Sequence, residues 1–347
     1  MSISESGKAW TVEGDTGFDC LVLNEQSIIP QPSENEVLVK FHAASLNYRD
    51  ICIPQGKFPF GFKKGIVPGS DGAGEVVLVG SKVTRFQKGD KVVTLFNQGH
   101  LGGSLDPKLL ATSLGGFVDG TLRQYGTFHE NGLVTMPESL SWIEGAAIPA
   151  AGLSAWNALY GLKPLKCGDY VLTQGTGGVS LFALQFAKAA GAKVIATTSS
   201  TAKVEQLKAL GADHIINYME VENWGEEAKK LTPGAKGVDH VVEIGGPTTM
   251  TQSLKAIKID GLISVVGWLG GDAEKEPGFL ECINHLCTVR GLYVGSRLMF
   301  EEMNRAIDAN SIKPVVDMKV FKLEYLKEAY QYMWEKKHVG KICVTME

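Results

Sequence analysis

No stretch of this chain stays apolar for the roughly 18–20 residues that a helix needs to cross a bilayer, so no membrane partner is expected. Basic residues are not in surplus: Lys and Arg number 34 against 38 acids, and the formal charge is −4. A broad cationic face for nucleic acid therefore has no source. The six cysteines, at 20, 52, 167, 282, 287 and 343, are scattered and form no Cys-x-x-Cys pair. Free thiols in a reducing compartment fit that pattern. The first ten residues, MSISESGKAW, lack the charged-then-apolar order of a secretory signal, and a cytoplasmic location is the expectation. Low-complexity tracts and short-period repeats are also missing.

What the chain does have is glycine, and one cluster of it carries chemistry. Residues 170–180 read YVLTQGTGGVS. Val171 to Gln174 reads as a short buried strand, and Gly175, Gly177 and Gly178 as a tight turn. Val179 to Ala190 reads as a helix with an apolar face, and Lys193 to Thr198 as a second strand. Strand, glycine turn and helix make a phosphate cradle, because glycines admit a pyrophosphate and a helix N-terminus offers free N–H groups. Thr176 N–H would share in it. The third glycine of the usual G-x-G-x-x-G is here Ser180. The alternative is an ordinary turn in a parallel α/β protein.

The end of the second strand bears on which dinucleotide is held. An acid at that place accepts from the 2′-OH of an NAD ribose. This chain has Thr198, Ser199, Ser200 and Lys203, with no carboxylate before Glu205. Hydroxyls and a lysine suit a 2′-phosphate, so NADPH is the expected cofactor. Ser199 or Ser200 is equally suited to cap the next helix. Gly245, Gly246 and Gly267 follow further strands, where a parallel sheet leaves room for ligands beyond its strand ends.

The texture changes near residue 139. Residues 1–138 alternate short strands and turns, as in EVLVKFHA at 36–43, and read as a β-rich domain with an irregular loop over 97–120. Residues 139–295 alternate strands and helices as a doubly wound parallel sheet would. Residues 296–347 hold helices at 300–310 and 323–336 and a strand at 341–345, and are read as completing the first domain. The fold class expected is α/β.

Several runs resemble the medium-chain dehydrogenase/reductase superfamily in order and over nearly the whole length. They are SLNYRD at 45–50, PGSDGAGEV at 68–76, KGDKV at 88–92, QGTGGVS at 174–180, LGAD at 210–213 and HVGKI at 338–342. The resemblance implies a GroES-like substrate domain, a Rossmann cofactor domain, an active site in the cleft between them and hydride transfer with a nicotinamide. It also locates three catalytic zinc ligands of the metal-dependent members. Here those positions hold Asn47, Ser70 and the vicinity of Ala150 and Ala151, and no cysteines stand near 95–115 for a structural zinc. The spacing Cys282-x-x-His285-x-Cys287 fits no zinc site and reads as a buried segment. No metal is expected, and the match is to the zinc-independent branch of quinone oxidoreductase-like and alcohol dehydrogenase-like proteins.

That branch implies reduction of an enone, quinone or related carbonyl compound by NADPH. The resemblance gives Asn47, Tyr48 and Asp50 as candidate catalytic residues, and Tyr218 and Lys341 as residues near the adenosine ribose and the pyrophosphate. The bland alternatives are a turn asparagine, a packed aromatic, a loop anchor and a rim charge. A small-molecule substrate and a homodimer are expected. A zinc-free alcohol dehydrogenase or ketone reductase, and a non-catalytic NADPH-binding sensor, are the rival readings.

Overall fold

Alternation of apolar and polar residues makes Glu36–Ser45 a strand with one face in a core, and the computed structural model is organised around it. The structure describes residues 5–274 and 276–346. The strands are β1 Ser6–Val12, β2 Leu21–Ile28, β3 Glu36–Ser45, β4 Asp71–Val79, β5 Lys91–Thr94, β6 Tyr125–His129, β7 Leu133–Thr135, β8 Tyr170–Gln174, β9 Lys193–Thr198, β10 His214–Asn217, β11 Val238–Glu243, β12 Ile257–Val265, β13 Thr288–Gly291, β14 Phe321–Lys322 and β15 Cys343–Thr345. Of the helices, four bear on the argument: α1 Tyr48–Cys52, α2 Trp142–Ala147, α3 Gly178–Ala189 and α4 Glu281–Asn284. No helix among the described residues is long and apolar enough to cross a membrane.

Two compact units result, one from 1–153 with 295–347 and the other from 154–294. In the first, a seven-stranded sheet runs β14-β15-β3-β4-β5-β7, with β6 also on β3. One edge of β3 pairs with β4 along its length; the other is shared, Glu36–Lys40 with β6 and Ala43–Ser45 with β15. Val37, Val39 and Phe41 point into a core with Leu46, Ile51 and Tyr330. Register then fixes a site. Ser45 stands opposite Asp71 on one side and Cys343 on the other, so the residues at the ends of three strands lie side by side.

In the second unit all six strands are parallel, in the order β10-β9-β8-β11-β12-β13. Numbered within the unit, this is 3-2-1-4-5-6, the doubly wound order whose direction reverses between the first and fourth strands. Here those are β8 and β11. Their runs VLTQ and VVE are buried throughout, as expected where helices cover both faces of such a sheet.

Some expected elements differ. The helix read at 323–336 is a 3-10 turn, Leu323–Tyr325, followed by an α-helix, Leu326–Trp334. The last strand begins at Cys343, and Lys341 forms only an isolated bridge with Val316. The loop at 97–120 contains a 3-10 helix, Pro107–Thr112, capped by Asp106, which accepts from the Lys108 N–H at 2.8 Å. The segment 282–287 is not buried: Ile283 and Leu286 in and after the short α4 are exposed.

The LGAD run acquires a physical reason. Asp213 Oδ2 accepts from the Val194 N–H at 2.8 Å and from Lys188 at 2.7 Å, and Oδ1 accepts from Lys193 at 2.9 Å, tying β10 to β9. Burial would raise its pKa, but the hydrogen bonds from Lys188, Val194 and Lys193 outweigh it and bring it to about 2. Against an unfolded value of about 3.9, that shift is worth about 2 kcal/mol. The stabilisation is present above the unfolded pKa and is lost as pH falls through the folded one. Asp213→Asn is expected to cost about 2 kcal/mol in urea unfolding at pH 7, with the gap to the parent narrowing as pH falls from about 4 to 2. A gap independent of pH would show that the carboxylate charge is not what stabilises this turn.

Candidate active site

The glycine turn after β8 is open on its outer side. Gly175 has φ +71°, where a side chain would be strained, and Gly177 is extended yet has nothing within 4 Å of the place a Cβ would take. Nothing in the protein itself requires glycine at 177. Gly177 caps α3 with no side-chain hydrogen bond, so the first-turn N–H groups of Gly178, Val179 and Ser180 are left to another acceptor. The missing third glycine is explained by Ser180, which is fully buried and donates to Gln174 O, fastening helix to strand. Thr176 is buried within the turn. These residues fit a dinucleotide pyrophosphate.

At the end of β9, Thr198 is committed to its own turn, since its Oγ1 accepts from the Ser200 N–H at 3.2 Å. Ser199 is exposed. Ser200 occupies the cap position of a 3-10 turn, Thr201–Lys203, but its side chain makes no cap hydrogen bond. Lys203 is half-buried and makes no ion pair among the described residues, while the nearest acid, Glu205, is held by Lys208 at 2.8 Å. Tyr218 is 40% exposed and its N–H donates to Thr198 O at 3.0 Å, which sets it beside that turn. The structure thus brings Thr198, Ser199, Ser200, Lys203 and Tyr218 together at one end of the sheet.

Sequence reasoning missed Glu243. This carboxylate ends β11 and is fully buried. Its Oε1 accepts from the N–H groups of Gly245 at 2.8 Å and Gly246 at 2.9 Å and from Thr249 Oγ1; its Oε2 accepts from Gln174 Nε2 at 2.7 Å and from Ser253 Oγ. Gln174 Oε1 in turn accepts from the Ile244 N–H at 3.1 Å. The pair bridges β8 and β11 where the strand order reverses, and fixes the Gly245–Gly246 loop. Gly246 has φ +77°, and a Cβ on Gly245 would lie 2.3 Å from Thr249 Oγ1, so both glycines are required by the fold. Gly267 is less constrained: its Cβ would meet only Ile244 O, at 3.4 Å. An acid at a buried strand end beside paired glycines was the available signal.

In the first unit the expected catalytic residues sit where β3 ends and β4 and β15 begin. Asn47 precedes α1, and its N–H donates to Asp50 Oδ2 at 2.8 Å. Asp50 is buried; burial raises its pKa against the opposing pull of Arg49 and the Asn47 N–H. Its place is that of a helix cap anchoring Asn47, one of the two roles expected for it. Tyr48 opens α1, half-buried, with its phenol pKa raised by burial and then by Cys52. Arg49 lies over the Phe96 ring at 4.4 Å and donates to Leu114 O.

The positions that hold zinc in metal-dependent relatives do converge, on Asp71. Asn47 Nδ2 donates to Ser70 Oγ at 3.2 Å, and Ser70 Oγ donates to Asp71 Oδ1 at 2.7 Å. Asp71 Oδ2 accepts from the Ala150 N–H at 3.1 Å. This donor set, an amide, a hydroxyl and one carboxylate already engaged, lacks the thiolates and imidazoles that hold zinc. The cation in contact with it is the Lys341 ammonium, 2.7 Å from Asn47 Oδ1 and 3.3 Å from Asp71 Oδ2. The site does not fit a zinc ion. Among the described residues no three His, Cys, Asp or Glu side chains are grouped as a metal would need. Lys341, expected at a pyrophosphate, is 4% exposed and turned to Asn47 and Asp71, because register sets it against the end of β3. Arg297 Nη1 donates to Asn131 Oδ1 at 2.6 Å.

Comparison with known proteins gives two domain matches. Residues 33–138 match the alcohol dehydrogenase GroES-like domain model and residues 178–309 the zinc-binding dehydrogenase model. A zinc-type alcohol dehydrogenase-like protein of Schizosaccharomyces pombe is 43% identical, over 96% of this chain and 97% of its own. An NADPH-dependent alkenal/one oxidoreductase of Arabidopsis thaliana, a chloroplastic protein, is 31% identical, over 99% of this chain and 80% of its own. The crystal structure of a putative alcohol dehydrogenase from Sinorhizobium meliloti 1021 superposes with a TM-score of 0.91 at 38% identity, covering 99% of this chain and all of that one. The two domain models, the extent of identity and the shared fold make the chain a member of the medium-chain dehydrogenase/reductase superfamily of oxidoreductases.

Proposed function

We propose that the protein is an NADPH-dependent, zinc-independent reductase of α,β-unsaturated carbonyl compounds or quinones. The observation that carries this reading is the Asn47 amide. Its oxygen faces an ammonium and one of its N–H bonds is given to Ser70, which leaves the second N–H without a protein acceptor among the described residues. A fixed neutral donor suits a carbonyl oxygen that gathers negative charge as an enolate forms. Bound NADPH would supply hydride to the carbon β to that carbonyl. Asn47 then stabilises the enolate oxygen, and Tyr48, a phenol kept protonated by its surroundings, serves as a second donor or proton source for the α-carbon. The alkenal/one oxidoreductase among the relatives supports this substrate class.

NADPH rather than NADH is supported by the uncommitted Ser199 and Ser200 hydroxyls, the unpaired Lys203 and the absence of a free acid beside them. Gly175, Thr176, Gly177, Gly178 and Val179 would hold the pyrophosphate, with Gly245 and Gly267 bordering the nicotinamide side. A homodimer through the edge of the six-stranded sheet is supported by apolar side chains leading into edge strand β13: Phe279 is 86%, Leu280 61% and Ile283 67% exposed.

Three outcomes are expected. Purified protein with NADPH and a panel of enones, quinones, saturated ketones and aldehydes should oxidise the cofactor and yield saturated carbonyls or hydroquinones; alcohols as the sole products would establish a carbonyl reductase, and no turnover despite cofactor binding would leave a sensor. Lys203→Ala should weaken NADPH binding by roughly tenfold in a fluorescence titration and leave NADH nearly unchanged, whereas equal losses would remove the 2′-phosphate assignment. Ile283→Glu should halve the mass found by light scattering; an unchanged mass would place any dimer contact elsewhere.

A further inference from the structure

Lys341 is the buried charge whose placement the reading above leaves unused. Its backbone is held on both sides, the N–H donating to Val315 O at 3.0 Å and the carbonyl accepting from the Asp317 N–H at 2.9 Å. An ammonium has three protons to give. Here all three have acceptors: Leu46 O at 2.7 Å, Asn47 Oδ1 at 2.7 Å and Asp71 Oδ2 at 3.3 Å. None remains for a phosphate. A buried cation is expensive unless it is paired and hydrogen-bonded, and Asp71 alone would satisfy the pairing. The Asn47 contact is therefore the one that asks for a reason.

Hydrogen-bond direction gives it. Lys341 can only donate, so Asn47 must present Oδ1 to it, and Nδ2 must lie on the other side of the amide. Asp71 can only accept when ionised, so Ser70 spends its proton on Asp71 Oδ1 and receives from Asn47 Nδ2. Lys341, Asn47, Ser70 and Asp71 form a closed ring whose direction is set everywhere. A flipped amide would turn its NH2 towards an ammonium and its oxygen towards a hydroxyl that has no proton left. One N–H of Asn47 stands outside the ring, and the adjacent positive charge strengthens it as a donor.

We infer that Lys341 is the positioning residue of the reaction: a built-in cation, bonded to Asn47 at a position matched to a zinc ligand of metal-dependent relatives, that locks and polarises the Asn47 amide for the substrate oxygen. The inference rests on the reductase reading. Lys341 acts through Asn47 and touches neither substrate nor cofactor. Zinc would draw on the carbonyl directly; the ammonium does so through one intervening amide, a weaker pull suited to an already activated double bond.

The test is kinetic and uses the full chain. Lys341→Ala is expected to lower kcat by about 10- to 100-fold, less than the roughly 100- to 1,000-fold lost with an oxyanion donor itself because Asn47 remains, while the NADPH dissociation constant stays within about twofold of the parent, since no cofactor contact is lost. Propylammonium chloride should restore part of kcat, and equal concentrations of sodium chloride or 1-propanol should not. A parent-like kcat overturns the inference. So does a rise in the NADPH dissociation constant with kcat kept, which would return Lys341 to the pyrophosphate, and so does a low kcat that no amine raises. If Lys341→Ala fails to fold, Lys341→Met combined with Asp71→Asn removes both charges together; the same kcat loss with a native circular dichroism spectrum supports the inference, and a parent-like kcat overturns it. A parent protein silent toward every acceptor would instead remove the reductase reading, so the two failures are distinguishable.

Discussion

A buried carboxylate holds its place only if donors surround it, and Asp71 is where the first unit gathers them. Its oxygens receive Ser70 Oγ, the Ala150 N–H and the Lys341 ammonium, with Ser45 Oγ at 3.4 Å. These come from two neighbouring strand ends, the segment after α2 and the bridge before β15. Leaving such a group unpaired costs several kcal/mol. Each connection must therefore arrive in register, and the geometry of Asn47 is a consequence of that requirement. Leu46 completes it, since its N–H donates to Ile342 O at 2.9 Å while its carbonyl takes the lysine.

The second unit solves a similar problem with Glu243. In a parallel sheet the strands end in the same direction, and the loops beyond them must turn without leaving polar groups bare. Glu243 and Gln174 satisfy the loop N–H groups at the reversal of strand order. The groups that remain unsatisfied by the protein, at the start of α3 and around Ser200 and Lys203, are those at which a ligand phosphate would be stabilised. Rigidity at one place and open donors at another are both products of where side-chain oxygens were available.

Two carboxylates of the first unit also separate what is rigid from what is chemical. Asp50, three residues after Asn47, holds the Asn47 N–H, and Asp71, beside Ser70 in a second run, holds the Ala150 N–H and the Lys341 ammonium. A neutral amide and a phenol are left to face a substrate. Metal-dependent chemistry needs soft or imidazole ligands that converge on an empty point; here Asn47 and Ser70 are engaged with an internal cation and its carboxylate.

Much of the architecture was legible in local sequence. The glycine turn between VLTQ and the following helix announces itself because glycine adopts φ +71° without strain and because strand and helix periods differ on its two sides. The lack of an acid after Thr198 is equally local, as is the alternation that makes β3. By itself the sequence determined the two kinds of unit, the cradle and the hydroxyl-rich strand end. It could not determine the partners of Lys341, Asp71 or Glu243, since those bonds join residues as far apart as 295 positions. Hydrogen bonds of that kind depend on strand register, which is decided by the whole sheet closing on its core. A lysine expected at a pyrophosphate is bonded to Leu46, Asn47 and Asp71, an aspartate expected as a catalytic group or a loop anchor caps α1, and a cysteine segment expected to be buried lies at the surface. Tertiary structure alone decided these, because what a buried charge does is set by what surrounds it.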